Sequence, residues 1–499
     1  HDERALPDLA DNIKCGNSLI GPDFYEGQQL AMFDEDERLR INAFDWQAEF
    51  PQIFKDGGFD AVIGNPPYVR IQGFASDQLS YFAGRYASAR GNFDLYIPFI
   101  ERGFHLLRTG GEFGMINPNK FFRTDYGESL RGCLSASRAV SRVVDFGANQ
   151  VFKATTYTCL LFLHRGGTKS FDFAKAGADR YSLNAAQFRS YSTDSLSSNL
   201  WTFDDEATVS LTAKLARNSV RLLDLPADMS RGSSTGDDKV FLIAAGSETI
   251  EPEALRIPVF ASDFGRYRFV PSDKWRIIFP YRKDADGFRL PTQSQIRREL
   301  PRVYGYLASH ASRLRRRKQF KEWFGYSAPR KLEQHDHAQI AVPLLADHAA
   351  FAMIPEPLRG TLCPMASAGF TICVHSSARV RAEYVLGLLN SKLLFWRLRN
   401  MSNVFRGGWI TCTKQYFGEL PIYTIDFNDP SDVKLHDRVV RLVETMLHLH
   451  TALASAKTPG ERNALQRQID ATDQEIDQLV YELYGLTDDE IRIVEEATR

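Results

Sequence analysis

The residues best suited to take part in a reaction are Asn65-Pro66-Pro67-Tyr68, which directly follow the mostly apolar run 59–64. That run predicts a buried strand, and it must stop there because two consecutive prolines cannot continue a hydrogen-bonded ladder. An amide, prolyl carbonyls and an aromatic ring are then presented at the carboxyl end of a strand. In open α/β sheets, ligands bind at this end.

These groups suit methyl transfer to a planar amino group. The side-chain oxygen of Asn65 and the backbone carbonyl of Pro66 would accept both hydrogens of an exocyclic NH₂, so that its lone pair turns toward an incoming methyl. Tyr68 would stack on the flat substrate. No general base is needed at the start, because positive charge develops on the nitrogen and the two acceptors stabilise it. The alternative is a Pro-Pro turn closing a core strand, and the flanking Asn and Tyr favour the functional interpretation.

Bulk properties limit the class of protein. A chain of 499 residues is too long for one core, so two or three domains are expected. A net charge of −1 means that any nucleic-acid surface must be a local patch. No apolar run reaches membrane-spanning length and no signal peptide opens the chain, which predicts a cytoplasmic protein without a membrane partner. The six cysteines lack C-x-x-C spacing, which favours a reducing compartment and no structural zinc.

Residues 1–167 alternate between strand and helix patterns. This alternation predicts an α/β domain with a mostly parallel, doubly wound sheet. Residues 168–228 are rich in Ser, Ala and Asp and predict a connecting region. The strands are expected at 61–63, 112–116, 142–146 and 158–163, and the helices at 95–107 and 127–134.

The second half of the chain has a different pattern. Residues 229–425 carry short β-like runs, interrupted by helical stretches at 296–321 and 381–399, and predict an α+β domain. Residues 426–499 predict a helical hairpin broken at 458–460, with Gly485 as a C-cap. The apolar spacing fits helices that pack on their own domain and fits an interchain coiled coil equally well.

Many short segments accompany the tetrapeptide in a fixed order. With them the sequence resembles the adenine-specific DNA methyltransferases that carry Asn-Pro-Pro-Tyr, of the restriction–modification kind with a TaqI-like C-terminal specificity domain. The segments are GNSLI (16–20), FDAVIGNPPYVR (59–70), NFDLYIPF (92–99), GGEFGMINPNKFFRTDYGESLR (110–131), VVDFGANQVF (143–152), TTYTCLLFL (155–163), RGSSTGDDKVF (231–241), IPVFASDFGRYRF (257–269), TKQYFGELPI (413–422) and IDQLVYELYGLTDDE (476–490).

The resemblance implies a partial Rossmann-like methyltransferase sheet for residues 1–167, a DNA target-recognition domain for residues 229–425, and S-adenosylmethionine as cofactor. It also implies roles for single residues. Asn65, Pro66, Pro67 and Tyr68 would form the target-amine site, and Phe152 would contact the flipped base opposite Tyr68. Asn17, its neighbour Ser18 and Phe99 would contact the adenine ring of the cofactor, although the family often has Asp at the position of Asn17. Phe152 and Phe99 are also consistent with core aromatics.

One departure from the family is serious. Its glycine-rich cofactor loop, and the acidic residue that binds the ribose, should precede Asn17, but residues 1–16 contain no Gly-x-Gly. The cofactor site of this chain is therefore expected to be half complete. Because the chain begins with His, we expect a truncated protein whose site is completed by an upstream segment or a second chain.

Double-stranded DNA is the partner that the resemblance implies, and its target base must be flipped out at a cost of a few kcal/mol. A basic run in the second half predicts contact with phosphate, and a solvated helix face is the alternative. Lys414 lies near the specificity loop of the family. No metal is expected at His335-Asp336-His337, because no further ligands have matching spacing. The basic run consists of Arg313, Arg315, Arg316, Arg317, Lys318 and Lys321.

Three functions remain open from the sequence. The leading one is adenine methylation at a defined DNA site within a restriction–modification or related phage-defence system. A methyltransferase acting on RNA or on a protein glutamine shares the tetrapeptide. The third is a DNA-specificity module that is catalytically inactive because half of the cofactor pocket is absent. No Asp…Glu-x-Lys nuclease core is found in the sequence.

Overall fold

The computed structural model describes residues 11–26, 35–147, 151–152, 156–176, 188–203, 205–246, 250–285, 287–402 and 408–498. The chain divides into two compact units, His1–Phe203 and Asp204–Arg499. The expected connecting region, 168–228, contributes residues to both units.

The first unit is built on a six-stranded sheet in the order β1-β2-β4-β3-β5-β6. Its helices frame an apolar core that includes Tyr96, Phe121 and Leu161. The strands are β1 Phe59–Gly64, β2 Leu107–Pro118, β3 Val140–Asp145, β4 Thr158–His164, β5 Ser170–Lys175 and β6 Arg189–Ser192, and the helices are α1 Glu35–Ile41, α2 Trp46–Glu49, α3 Pro51–Lys55, α4 Ser76–Arg85, α5 Tyr96–His105 and α6 Glu128–Ala136.

The α/β prediction is confirmed, but the prediction of a mostly parallel sheet is wrong. Strands β1 and β2 are parallel, as are β3 and β5, whereas β4 runs antiparallel to both of its neighbours, β2 and β3. No helix is assigned in the short link between β3 and β4 among its described residues. A parallel pair would need a longer crossover, usually helical, so β4 returns antiparallel. Strand β1 forms one edge of the sheet, so the prediction of a buried strand at 59–64 is wrong: none of its residues is buried, and Ile63 is 90% exposed.

The second unit is an α+β assembly with two four-stranded sheets, β19-β10-β13-β9 and β18-β16-β20-β8. The remaining strands pair as β11-β12, β14-β15, β17-β21 and β22-β7. The strands are β7 Ser219–Arg221, β8 Ala227–Arg231, β9 Leu242–Ala244, β10 Leu255–Val259, β11 Phe264–Gly265, β12 Arg268–Phe269, β13 Trp275–Ile278, β14 Arg282–Asp284, β15 Gly287–Arg289, β16 Ile340–Pro343, β17 Leu345–Ala346, β18 Ala352–Met353, β19 Leu362–Pro364, β20 Gly369–Val374, β21 Ile410–Thr411 and β22 Pro421–Tyr423.

The helices of the second unit are more broken than the sequence predicts. The stretch 296–321 forms three short helices, and the first break precedes Pro301, whose ring disfavours helical geometry at Leu300. The stretch 381–399 is divided at Ser391, which caps the next helix by accepting from Leu394 N. The helices are α7 Glu206–Arg217, α8 Asp238–Phe241, α9 Gln293–Glu299, α10 Pro301–Ser309, α11 Ala311–Leu314, α12 Leu332–Asp336, α13 Ala382–Asn390, α14 Lys392–Met401, α15 Lys414–Phe417, α16 Pro430–Ser455, α17 Pro459–Leu483 and α18 Asp488–Ala497.

Helices α16 and α17 form a hairpin within the segment 426–499. Thr458 begins α17 with a capping box that involves Glu461, and Gly485 has φ +66° just after the helix. Val439 and Ile476 are buried in the same core as Leu388 of α13, so the hairpin packs on its own unit. No helix among the described residues is long and apolar enough to cross a bilayer.

Candidate active site at the carboxyl end of the first sheet

The tetrapeptide begins where β1 ends. Asn65 is exposed, Pro66 is buried and Tyr68 is half-buried. Neither the Asn65 side chain nor the Pro66 carbonyl is hydrogen-bonded to another described residue. Two oxygen acceptors are thus available at the end of a strand, beside an aromatic ring. This arrangement can receive a donor NH₂ group.

Tyr68 is fixed by the neighbouring strand. Its hydroxyl donates to the Ile116 carbonyl of β2 at 3.0 Å, and its ring meets the ring of Tyr96 edge-on, with 6.4 Å between centroids. Burial, and to a lesser extent the charge of the nearby Cys159, raises the pKa of Tyr68 to about 12. The phenol therefore stays protonated at neutral pH, so its available role is ring contact and not proton abstraction.

Phe152 lies against the same ring. The centroids of Tyr68 and Phe152 are 6.2 Å apart and the ring planes meet at 69°. Both side chains are half-buried. The structure thus brings the two predicted base-contacting aromatics together, in an edge-to-face pair. A flat base can stack on Tyr68 from this geometry, whereas a sandwich between parallel rings requires Phe152 to turn.

The ends of β2 and β3 add polar groups that the sequence analysis missed. Asn119 Nδ2 donates to Asp145 Oδ1 at 2.7 Å, which ties the two strand ends together. Asn117 Oδ1 is a buried acceptor without a partner among the described residues, an uncommon state for a buried polar atom. The Asn-Pro-Asn run at 117–119, which stops a strand in the same way as the tetrapeptide, was the available signal.

The three predicted cofactor residues lie in the first unit. Asn17 Oδ1 accepts from Leu19 N at 3.1 Å, and its Nδ2 has no partner among the described residues. The backbone carbonyl of Ser18 accepts from Trp46 Nε1 at 3.1 Å. Phe99 is half-buried and packs against the core of the unit. An unpaired amide donor fits a ring nitrogen of adenine, so Asn17 fits one end of the expected cofactor.

The basic run of the second unit separates into two groups. Arg317 donates to the carbonyls of Thr235, Trp323 and Gly325, and Arg313 pairs with Asp237 at 2.8 Å. Through these contacts the two arginines stabilise loops of their own unit. Arg315, Arg316, Lys318 and Lys321 are exposed.

The aromatics near this run belong to the core. Trp323, Phe324 and Tyr326 are 4%, 0% and 2% exposed, so they are not available to stack on bases. Phe320 is 37% exposed, and the guanidinium of Arg315 lies 5.2 Å from the ring centre of Trp323. Lys414, at the start of α15, is exposed and lines a small cavity together with Lys331.

His335 has a structural role. It is buried, its Nδ1 lies 2.8 Å from Thr371 Oγ1, and its Nε2 lies 3.2 Å from the Arg231 carbonyl. Burial lowers the pKa of His335 to about 4. Asp336 pairs with Arg256 at 2.6 Å. Within the described ranges, no group of three or more His, Cys, Asp or Glu side chains could hold a metal ion.

Comparison with known proteins connects the first unit with a family. Residues 3–152 match the Eco57I restriction-modification methylase family. This Eco57I-matched segment contains the tetrapeptide and ends at Phe152. Over 542 residues the chain is 26% identical to the type II restriction enzyme and methyltransferase RM.Eco57I of Escherichia coli, covering 99% of this chain and 52% of that protein.

Two further proteins extend the comparison. The type II methyltransferase M.XhoI of Xanthomonas vasicola is 23% identical over 465 residues, covering 87% of this chain and 76% of that protein. The type II methyltransferase M.BstVI of Geobacillus stearothermophilus is 26% identical over 311 residues, covering 56% of this chain and 53% of that protein. This chain therefore aligns with about half the length of RM.Eco57I and of M.BstVI.

A solved structure shares the fold. The type IIL restriction-modification enzyme MmeI in complex with DNA superposes with a TM-score of 0.58 at 13% identity, covering 91% of this chain and 58% of that chain. At this identity the likeness concerns the fold alone, and function must be argued from the site.

Proposed function

We propose that this chain is the methylase and specificity part of a restriction–modification enzyme, and that it methylates the exocyclic amine of a flipped adenine in duplex DNA. The observation that carries the proposal is a pair of acceptors without a partner among the described residues, Asn65 Oδ1 and the Pro66 carbonyl, next to the aromatic pair Tyr68 and Phe152. The Eco57I match over residues 3–152 supports the same reaction class.

The proposed chemistry follows from those groups. Asn65 Oδ1 and the Pro66 carbonyl each accept one hydrogen of the target NH₂, which orients the nitrogen lone pair away from the ring plane. As the nitrogen becomes positively charged, the two oxygens stabilise it in a partly desolvated site. Tyr68 supports the base through its ring, because its hydroxyl is held by Ile116. The proton lost after transfer passes to solvent, since Asn65 is exposed.

S-adenosylmethionine supplies an electrophilic methyl group when it is bound. We assign the adenine end of this cofactor to Asn17, Ser18 and Phe99, because Asn17 Nδ2 has no hydrogen-bond partner among the described residues. An upstream segment or a second chain would contribute the ribose and methionine contacts. Strand β1 is available for such an addition, because it pairs with β2 on one side and forms an edge of the sheet.

Duplex DNA is the proposed partner of the exposed cations in the second unit. Arg315, Arg316, Lys318, Lys321 and Lys414 are assigned to backbone phosphates, while Arg313 and Arg317 act as loop tethers. Base flipping costs a few kcal/mol, and stacking on Tyr68 returns about 1–3 kcal/mol. Phosphate contacts supply the sequence-independent part of the affinity.

Two other functions give different products. A cofactor-deficient specificity module binds duplex DNA and transfers no methyl group. A methyltransferase for RNA or for a protein glutamine labels those substrates instead. The large second unit, with its basic run, favours DNA over a protein substrate.

The deciding experiment uses S-adenosylmethionine labelled in its methyl group. The chain is incubated with bacterial genomic DNA, tRNA and a release-factor protein, and labelled DNA is digested to nucleosides and separated. We expect label in N6-methyladenine from duplex DNA. Label in cytosine, tRNA or protein would contradict the proposal. Tight duplex binding without any label, together with no heat on titrating the cofactor, would establish the specificity module.

A further inference from the structure

A polar pocket lies close to the tetrapeptide, within the first unit. It has a volume of about 210 Å³. Arg70, two residues beyond Tyr68, forms one wall, and Lys120, two residues beyond the end of β2, forms another. Its polar lining consists of Arg70, Gln72, Asn92, Asp94, Lys120 and Tyr126. Side chains from three separate segments therefore converge next to the candidate active site.

The pocket is held in place by buried contacts. Arg131, 2% exposed, donates to the carbonyls of Phe121 and Thr124, which fixes the segment that carries Lys120 and Tyr126. Gly127 allows this approach, because a Cβ there would lie 2.2 Å from the Phe121 carbonyl oxygen. Such buried anchoring gives the pocket its shape before any ligand enters.

The opposite wall is fixed to the tetrapeptide segment. Arg70 and Asp94 form an isolated antiparallel bridge, and Leu95 N donates to the Val69 carbonyl at 2.8 Å. The Tyr126 hydroxyl lies 3.2 Å from that of Tyr96, whose ring also contacts Tyr68. The buried Tyr96 thus links Tyr126 of the pocket to the ring that is assigned to the target base.

The charges of the pocket favour an anion. Neither Arg70 nor Lys120 has a side-chain hydrogen bond or ion pair with another described residue. Burial raises the pKa of Asp94, the acidic group of the pocket, although both cations act to lower it. Asp94 also accepts from the Tyr126 hydroxyl at 3.4 Å. Two unpaired cations and two neutral amides, against one carboxyl group, suit a singly charged oxyanion.

We propose that this pocket binds a phosphodiester group of the DNA strand that carries the target base, next to the flipped nucleotide. The proposal rests on the proposed function, since it places the strand by its target adenine. Arg70 and Lys120 neutralise the phosphate, while Gln72 and Asn92 donate to its oxygens or to the adjoining sugar. Holding the backbone there positions the extruded base over Asn65 and Tyr68.

The test measures binding of a fluorescent single-stranded octanucleotide, d(TTTATTTT), by anisotropy at several salt concentrations. Arg70→Gln and Lys120→Gln are compared with Lys55→Gln, which removes an exposed cation on the amino-end side of β1. Each pocket variant should make the negative slope of log K against log salt shallower by about 0.7, the value for one phosphate contact on a single strand. Lys55→Gln should leave the slope unchanged, and Arg70→Lys should retain most of it.

A second probe locates the contact. Replacing the phosphate beside the adenine with a neutral methylphosphonate should weaken binding by the wild-type protein. The same replacement should have no effect on the double variant Arg70→Gln, Lys120→Gln, because the partner charges are already gone.

The outcomes separate this proposal from the proposed function. If methyl transfer to adenine occurs but the pocket variants bind like Lys55→Gln, the pocket assignment is overturned and the proposed function stands. If no methyl is transferred but the slope changes as expected, the phosphate pocket stands and the proposed function fails. Failure of the wild-type protein to bind the octanucleotide, or tighter binding of r(UUUAUUUU), overturns the assignment to DNA.

Discussion

Replacing Tyr68 separates the role of its ring from that of its hydroxyl. Tyr68→Phe keeps the ring contacts with Tyr96 and Phe152 and removes only the hydrogen bond to Ile116. Such a bond contributes about 1 kcal/mol to folding. Because base stacking is retained, we expect kcat/KM for DNA to fall by less than about threefold. This limit lies below the tenfold change that would correspond to a loss of about 1.4 kcal/mol.

Tyr68→Ala removes the stacking surface. A base–aromatic stack contributes about 1–3 kcal/mol, so kcat/KM for DNA should fall by about 5- to 140-fold. Loss of the half-buried ring should also lower the free energy of unfolding by about 2 kcal/mol, roughly half the cost of truncating a fully buried aromatic residue. Denaturant unfolding and steady-state methyl transfer, measured on the same preparations, separate the two effects.

Tyr86→Phe is the matched control. The Tyr86 hydroxyl donates to the Leu19 carbonyl at 2.7 Å in the same unit. This variant should lose similar stability to Tyr68→Phe with no change in kcat/KM. Equal loss of activity in Tyr68→Phe and Tyr68→Ala would refute the stacking role and implicate the hydroxyl. Wild-type activity in Tyr68→Ala would show that Tyr68 has no role in the active site.

Three further predictions concern the basic run, the hairpin core and pH. Arg316→Gln should make the negative slope of log K against log salt for duplex binding shallower by about 0.9. Arg317→Ala should instead lower the free energy of unfolding by about 2–4 kcal/mol, because its hydrogen bonds to carbonyls are lost. The reverse pattern in binding and unfolding measurements would contradict this division. Burial raises the pKa of Asp477 from 3.8 to about 6, so the free energy of unfolding falls as pH rises through this interval. Asp477→Asn should therefore be more stable than wild type by about 3 kcal/mol at pH 7 but not at pH 4. A constant difference in urea unfolding between those pH values would refute it. Because the pKa of Tyr68 is about 12, the pH–rate profile should show no loss of activity from its ionisation up to pH 10; a limb near pH 9 that is absent in Tyr68→Phe would contradict this.

Features that depend on local sequence were predicted from it. The prolines at 66 and 67 end β1, so the position of the tetrapeptide at a strand end follows from backbone chemistry. Thr458, Pro459 and Gly485 mark helix boundaries for the same reason, because capping and positive φ act within one turn.

Features that depend on distant partners were not predictable. A basic run has the same residue pattern whether its arginines face solvent or bind carbonyls. One of the carbonyls that Arg317 binds belongs to Thr235, 82 positions earlier in the chain. The insertion of β4 between β2 and β3 likewise depends on the pairing of β4 with β2, which is not its neighbour in the order of strands along the chain. The pocket of Arg70 and Lys120 combines segments that the sequence does not connect.

The central claim is that Asn65 and Pro66 stabilise the amine in the transition state. The most direct measurement is the single-turnover rate of methyl transfer and the DNA Kd for Asn65→Ala, with Asn199→Ala as an exposed control in the same unit. The rate should fall by about 10²–10³, the usual effect of removing one group that stabilises developing charge, while Kd stays within about threefold. Equal losses in rate and affinity, or an unchanged rate, would contradict the claim.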